Sequence, residues 1–307
     1  MNFLQSPAWE AFQLSLGREV FRDGTADWSY LAILEQGRGN SRLFCPYGPE
    51  ATSPEAFDQA ITSLKELAKQ HSATFIRVEP TNSSLLPYLK SHGWKKVDYQ
   101  SLNPEHTSLI DLSESEETII ARMDQPARNI YRNYAKKGVT VHQSHSPEDI
   151  DIFLTLIHQV AERTGMRPHS DDYFRKQAAA LLPDESATLW YATKDDRPIA
   201  AAITYNGDDT RYYAHAAADL SPEARKLNAA TAIVAEAIVD AKRRGLKTFD
   251  LYGIAPDGSP ADHPWSGFTK FKRSFGGQDV NFCGSWDLPV NRPAYYLYRL
   301  YQKLIRK

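Results

Sequence analysis

The chain has 307 residues, 42% apolar and 24% charged, with a net charge of −2. That is enough for two ordinary domains with real cores, and it leaves no overall basic field to hold long nucleic acid, DNA included. Cys45 and Cys283 are the only cysteines, which suits a reducing cytosol better than a disulfide-stapled fold. The opening "MNFLQSPAWEAF" has no basic and apolar stretch of the secretory kind, and no apolar run approaches the roughly 18–20 residues that span a bilayer. A cytoplasmic protein is expected, with a peripheral visit to the inner membrane face left open.

In chain order, three strand-like runs come first: "REVFR" (18–22), "WSYLAILEQ" (28–36) and "SRLFCPYG" (41–48). Ser53-Pro54-Glu55-Ala56 then starts a helix to about Gln70. The serine caps free N–H groups, proline fits the first turn, and glutamate suits the positive end of the helix dipole. "ATFIRVEP" (73–80) follows as a strand. Next come a short helix from Glu116 to Met123, a basic helix from Arg128 to Lys137 closed by Gly138, and the strand "VTVHQ". Helices are predicted over 147–164, from a near copy of the same start at Ser146, and over 171–182.

The first pattern then repeats. "ATLWYAT" (187–193), "PIAAAITYN" (198–206) and "TRYYAHAA" (210–217) precede Ser221-Pro222-Glu223-Ala224. A helix runs from there to about Arg244, stopped by Gly245, and "KTFDLYGI" (247–254) is the strand after it. Both halves read strand, strand, strand, helix, strand, so the sequence predicts a mixed α/β protein (α+β layers) with an internal duplication. "FTKFKRSFGG" (268–277) packs three rings and three cations into eight residues before two glycines. Its plain reading is an amphipathic strand or turn. "RPAYYLYRLYQKLIRK" closes the chain as a basic, aromatic helix.

The common catalytic signatures for nucleotides, metals and serine nucleophiles are missing, and the nine histidines show no metal-ligand spacing. No metal or cofactor is called for. His215 stands apart because it lies on the aromatic strand "RYYAHAA". A weak acetyltransferase pattern appears at Arg225-Lys226-Leu227-Asn228-Ala229-Ala230. It matches the pyrophosphate-cradling helix start at its first and last positions, with Asn228 in the place of the central glycine.

Taken together, these segments resemble the Fem family of peptidoglycan-bridge aminoacyltransferases. "FLQSPAWEAFQLSLG" looks like the family's opening helix, "CPYGPE" like its strand-to-loop segment, and "ATFIRVEP" like its "LRxDP" strand. "HTSLIDLSESEETIIARMDQPARNIYRNYAKKGVTV" is similar to its crossing segment. "FDLYGI" followed by "GFTKFKRSFGG" is similar to its strand-then-"FKxxFG" signature, the most specific of these. The resemblance implies two tandem acetyltransferase-like (GNAT-like) domains. These would be residues 1–112 completed by a C-terminal helix over 288–307, and residues 113–287. No coiled-coil insertion is present, so the compact form of the family is implied.

It further implies transfer of Gly, Ala or Ser from aminoacyl-tRNA to the stem-peptide amine of a peptidoglycan precursor, UDP-linked or lipid-linked. The protein would meet mainly the acceptor end of the tRNA. On this reading Lys272 is the cation near the leaving 3′ end, and Phe271 stacks beside the terminal adenine. Glu79 and Asp250, ending matching strands, are candidate bases for the amine. Tyr213, His215 and Arg128 with its basic helix are candidate precursor contacts. Gln13 stands where the family often offers a lysine to the precursor's phosphates, and Tyr252-Gly253 where it often has two glycines. Two rival readings remain: an acyl-CoA-dependent N-acetyltransferase on the same fold, and a non-catalytic module that recruits RNA or cell-wall proteins.

Overall fold

In the computed structural model, which describes every residue except Arg38, Ser101, Pro264, Arg306 and Lys307, two of the three Ser-Pro-Glu starts act as caps. Ser53 accepts from Ala56 N at 3.2 Å, and Ser221 accepts from Ala224 N at 3.4 Å. Ser146 does not cap. Its hydroxyl bonds to Glu148, and a 3-10 turn, Pro147–Asp149, precedes the helix there. The chain divides into two compact units: Met1–Glu105 with Asn281–Lys307, and His106–Val280.

The first unit begins with helix α1 (Pro7–Ser15), then strands β1 (Glu19–Gly24), β2 (Trp28–Gly37), β3 (Asn40–Cys45) and the short β4 (Glu50–Ala51). Helix α2 (Pro54–Gln70), β5 (Phe75–Val78), α3 (Leu86–Ser91) and β6 (Lys95–Lys96) follow. The second unit holds β7 (His106–Asp111), α4 (Glu116–Arg122), α5 (Gln125–Asn133), β8 (Val139–Ser144), α6 (Ile150–Thr164) and α7 (Asp171–Leu181). It continues with β9 (Ala187–Lys194), β10 (Arg197–Asn206), β11 (Thr210–Ala218), α8 (Pro222–Leu227), α9 (Ala229–Arg243), β12 (Thr248–Asp250), α10 (Ser266–Arg273) and β13 (Gln278–Asn281). The last elements, β14 (Trp286–Pro289) and α11 (Arg292–Ile305), return to the first unit.

The mixed α/β expectation holds, and the strand order repeats. The first sheet runs β1-β2-β3-β5-β14-β6, with β4 beside β2; the second runs β13-β7-β12-β11-β10-β9-β8. In each, an antiparallel three-strand meander leads through a helix to a strand parallel to the third, β5 beside β3 and β12 beside β11. In each, an antiparallel strand then flanks that parallel one: β14 beside β5, and β7 beside β12. The flanking strand is not supplied by the stretch that follows. After β6 the chain goes on to β7, which joins the second sheet, and after β13 it goes on to β14, which joins the first.

Helix α2 lays Phe57, Ala60, Ile61, Leu64 and Ala68 on the first sheet, and Trp94 and Trp286 complete that core. Helix α9 does the same in the second unit through Ile233, Val234, Ala237, Ile238 and Ala241. The sequence predicted one helix from Ser221 to about Arg244. The structure has two, α8 and α9, because Asn228 takes a left-handed backbone (φ +53°) and breaks the run. Asparagine tolerates that region better than most residues.

Strand β14 is held by charge as well as by its ladder. Arg77 of β5 donates to Asp287 of β14 through Nε at 2.7 Å and Nη2 at 2.9 Å, and neither side chain is exposed. Burial works against the guanidinium's charge, but the bond to Asp287 and its charge prevail and hold Arg77 above its ordinary value. Tyr99 accepts from Arg77 at 2.8 Å, and Tyr295 of α11 donates to Asp287 at 3.2 Å. Removing one partner of a buried pair strands the other charge, which typically costs about 3–5 kcal/mol. Asp287→Ala is therefore expected to lose about that much in urea unfolding followed by tryptophan fluorescence. Arg77→Met with Asp287→Leu should lose less than the sum of the two single changes.

Candidate active site

At the end of β12 the chain leaves the second sheet, and Asp250 is the last strand residue. Its Oδ1 accepts from the Thr107 hydroxyl on β7 and from Tyr252 N at 2.7 Å. The second bond closes a tight side-chain turn that holds Tyr252 at φ +61°. Gly253 O accepts from Lys272 Nζ at 2.7 Å. Ile254 N donates to His106 O at 2.9 Å, and Ala255 N to Thr269 Oγ1 at 2.8 Å. The loop 251–255 is thus pinned on one side by β7 and on the other by α10.

The stretch "FTKFKRSFGG" is a helix and its exit, not the amphipathic strand or turn of the plain reading. Its rings stand at 268, 271 and 275, three and four apart, which is helical spacing. Phe275 is fully buried in the core of the second unit and meets Phe271 edge-on, with centroids 5.3 Å apart. Phe271 packs half-buried on the same core, while Phe268 is 62% exposed. The two glycines are required by close approach. At Gly276 (φ +78°) a Cβ would sit 2.4 Å from Arg122 O, and at Gly277 it would sit 2.6 Å from Ser108 Oγ. Gly276→Ala therefore combines a left-handed penalty of about 1–2 kcal/mol with a backbone clash. A loss of at least about 2 kcal/mol is expected in thermal or urea unfolding.

This arrangement brings Asp250 and Lys272 into electrostatic reach. Burial pushes the Asp250 carboxyl up to about 6, against the pull of the Thr107 and Tyr252 bonds and the Lys272 charge. Burial pulls the Lys272 ammonium down to about 8, against the opposing charge of Asp250. Both shifts have desolvation as their main cause, so the two groups change charge in the neutral range. Helix α10 is flanked by two cavities within the second unit. One, of about 350 Å³, is lined by Asn228, Thr231, Lys270, Phe271, Ser274 and α5 residues including Ile130. The other, of about 330 Å³, is lined by Ala255, Pro256, Ser259, Thr269, Lys270 and Arg273, among others.

The first unit has a second buried carboxylate at the corresponding place. Glu79 follows β5, accepts from the Ser285 hydroxyl just before β14, and accepts from Asn103 Nδ2 at 2.6 Å. Burial raises its carboxyl, opposed by those two bonds. A cavity of about 280 Å³ lies against Asn103, Glu105, Gly284 and Ser285. Each half therefore has a carboxylate at or just past the end of its parallel strand, and that carboxylate takes a hydroxyl from on or just before a strand supplied by a distant part of the chain.

The remaining candidates have partners of their own. Tyr213 packs into the core of the second unit, and burial raises its phenol. His215 takes a 2.9 Å bond with the Tyr205 hydroxyl, which in turn accepts from Gln177 Nε2 at 2.8 Å. Burial, helped by nearby His169, holds the imidazole down to about 3, so it is neutral. Arg128 turns its guanidinium to the carbonyls of Ala121 and Met123 at the end of α4. Gln13 is fully buried, with its Oε1 accepting from Arg18 at 2.6 Å. Sequence reasoning missed Thr107, Ser285 and Asn103. A lone hydroxyl or amide carries no motif, and Thr107 and Ser285 lie 143 and 206 residues from their carboxylates.

Comparison with known proteins agrees with this architecture. A family model described as an acetyltransferase (GNAT) domain matches residues 124–272. The lipid II:glycine glycyltransferase of Staphylococcus aureus is 22% identical over 206 residues, 64% of this chain. The chain spans about half, 49%, of the length of that curated relative. The crystal structure of FemX superposes with a TM-score of 0.85 at 18% identity, covering 96% of this chain and 94% of that one. L-PGS from Bacillus licheniformis superposes with a TM-score of 0.61 at 15% identity, covering 99% of this chain and 98% of that one. These structural likenesses show the tandem GNAT-like fold, and with the relative they bear out the resemblance to the Fem family carried by the sequence motifs.

Proposed function

We propose that this chain is an aminoacyltransferase that moves Gly, Ala or Ser from aminoacyl-tRNA to the stem-peptide amine of a peptidoglycan precursor. The observation that carries the reading is the pair of buried Asp250 and half-buried Lys272, with Phe271, the neighbour of Lys272 in sequence, lining a cavity. The activity named for the S. aureus relative, a lipid II:glycine glycyltransferase, supports it.

The reaction is aminolysis of an ester. A lysine-type amine, with an ordinary pKa of about 10.4, must lose a proton before it attacks the carbonyl carbon. A carboxylate whose own value lies near 6 is a better acceptor for that proton than an ordinary one, and it is still ionised at neutral pH. The C–N bond forms, the bond to the ribose oxygen breaks, and the departing 3′ oxygen takes up the proton. Negative charge gathers meanwhile on the carbonyl oxygen. Lys272, anchored by Gly253 O and half-shielded from water, is the cation assigned to that charge. Phe271 lines the cavity and is assigned to the terminal base; such stacking is typically worth about 1–3 kcal/mol. Glu79, in the first unit, is the alternative base. Asp250→Asn abolishing transfer while Glu79→Gln leaves most of it would assign the base to Asp250; the reverse result would move it to Glu79.

One observation favours the acyl-CoA rival. Asn228 keeps the left-handed backbone that a glycine would take there, at the start of the long helix α9, and it lines the cavity beside Phe271. Calorimetric titration with acetyl-CoA separates the two readings. Tight binding together with acetyl transfer would replace the tRNA reading.

The tests use purified protein, charged tRNAs and UDP-linked muramyl-pentapeptide, with product masses as readout. Lys272→Met should lower kcat by about 10²–10³, with precursor binding little changed. Lys272→Arg should rescue poorly, because a planar fork does not replace a compact ammonium. Normal transfer with weakened precursor binding in the Met variant would make Lys272 a phosphate anchor instead.

The pH dependence has a definite sign. Single-turnover transfer should rise through about 6 as Asp250 loses its proton, then fall above about 8 as Lys272 loses its own. Because the groups are linked, these are apparent values of the pair. Asp250→Asn should remove the acidic limb, and a profile whose acidic limb is unchanged in that variant would exclude Asp250 as the base.

A further inference from the structure

Helix α11 has two faces of different fate. Tyr295 is fully buried in the first unit, where its ring meets Phe75 and its hydroxyl donates to Asp287. Tyr298 and Arg299 turn to the same side: Tyr298 meets Phe75 at 5.0 Å between centroids, and Arg299 donates to Lys96 O at 3.0 Å. The opposite side is apolar and uncovered. Tyr296, Leu297, Leu300, Tyr301 and Leu304 are all between 51% and 71% exposed. At ~100° per residue these five positions form one continuous stripe about 140° wide. They are five of the ten large hydrophobic residues that stand out as exposed among the described residues. A contiguous apolar face of this kind signals an interaction surface, not scattered surface leucines.

Charge decides what covers it. On the same helical projection, Arg292, Arg299 and Lys303 fall along one border of the stripe. The sequence from Arg292 to its end adds Arg306 and Lys307 and contains no acid at all. Among the described residues Asp98 is the acidic partner that reaches this border, 3.6 Å from Arg299 and 3.3 Å from Lys303; Arg292 is exposed. No helix among the described residues is long and apolar enough to cross a membrane. A helix with an apolar face of leucines and tyrosines, a cationic border and too little length to span is the form that lies flat at a bilayer surface. There its leucines sit at the acyl boundary and its cations meet anionic headgroups.

We propose that the exposed face of α11 docks the protein on anionic lipid bilayers, with Leu297, Leu300 and Leu304 inserted and Arg292 and Lys303 meeting lipid phosphates. The proposal does not depend on which group the protein transfers. It is tested by co-sedimentation of the full chain with vesicles of phosphatidylcholine alone, or with about 30% phosphatidylglycerol, at low and high salt.

The native chain should pellet with the anionic vesicles, weakly with the neutral ones, and less as salt rises. Joint replacement Leu297→Ser, Leu300→Ser and Leu304→Ser should weaken the anionic partition by at least about tenfold. It should leave the unfolding curve unchanged, because those side chains are exposed. Arg292→Glu serves as a second variant, since it alters no apolar contact; it should weaken binding several-fold and reduce the salt dependence. No binding to either vesicle would overturn the proposal, as would equal binding by the serine variant. So would a native dimer, seen by light scattering, that the serine variant dissolves: the face would then belong to a second copy of the chain.

Discussion

A guanidinium and a carboxylate closed off from water, Arg77 and Asp287, fix where the end of the chain goes. Their two parallel bonds set β14 against β5 in one register, with Asp287 opposite Arg77. A slip of one residue would turn Asp287 to the other face of the sheet and leave a bare cation in the core. With that register fixed, Ser285 arrives beside Glu79, and Tyr295 carries α11 onto the same sheet. Among the described residues, the second unit solves the same problem without an ion pair between β7 and β12. There β7 lies beside β12 with Asp250 opposite Leu109, and Thr107 reaches the carboxylate from the same strand. Exchange of the flanking strand is therefore also what supplies each buried carboxylate with its hydroxyl.

The two carboxylates share an origin in the repeated topology and differ in their surroundings. Glu79 is held by an amide and a hydroxyl, with the charges of Arg77 and Arg42 as weaker influences. Asp250 has a hydroxyl, a backbone N–H and the Lys272 charge, and its partner cation is itself held low by burial. A pair in which desolvation raises the acid and lowers the base is one that the fold does not stabilise by charge pairing. Such a pair is poor at holding a structure together and well suited to exchanging protons near neutrality. This asymmetry, not the carboxylate alone, is the physical reason for proposing the chemistry in the second unit.

The repeated order of strands and helices was legible because it rests on local signals: capped helix starts, alternating apolar strands, and glycines such as Gly138 and Gly245 that take left-handed backbone. Where local signals ran out, the reading failed in particular ways. The break between α8 and α9 turns on one asparagine that reads as an ordinary helix residue. "FTKFKRSFGG" has enough rings and cations to suit an amphipathic strand, and only the 268-271-275 spacing, with a core waiting for Phe275, makes it a helix. The hydroxyls on the carboxylates could not be read at all, since strand exchange joins residues that no sequence window contains. Arg128 was visible as part of a basic helix, but its guanidinium is directed to carbonyls of the preceding helix, which charge patterning does not reveal.

Tyr252 shows how tightly the fold and the candidate chemistry are joined. A tyrosine in the left-handed region carries a penalty of about 1–2 kcal/mol relative to the ordinary helical one. The strain persists because the Asp250 carboxylate accepts the Tyr252 N–H. That turn aims Gly253 O at Lys272. One carboxylate thus sets the loop, the loop sets the ammonium, and the ammonium lowers the proton affinity of the carboxylate in return. When Asp250 takes a proton, its oxygen becomes a weaker acceptor for Tyr252 N–H and its pull on Lys272 falls away together. Protonation of Asp250 would therefore also loosen the 251–255 loop, and in the proposed reaction it would couple the acid–base step to the local stability of the segment between β12 and α10.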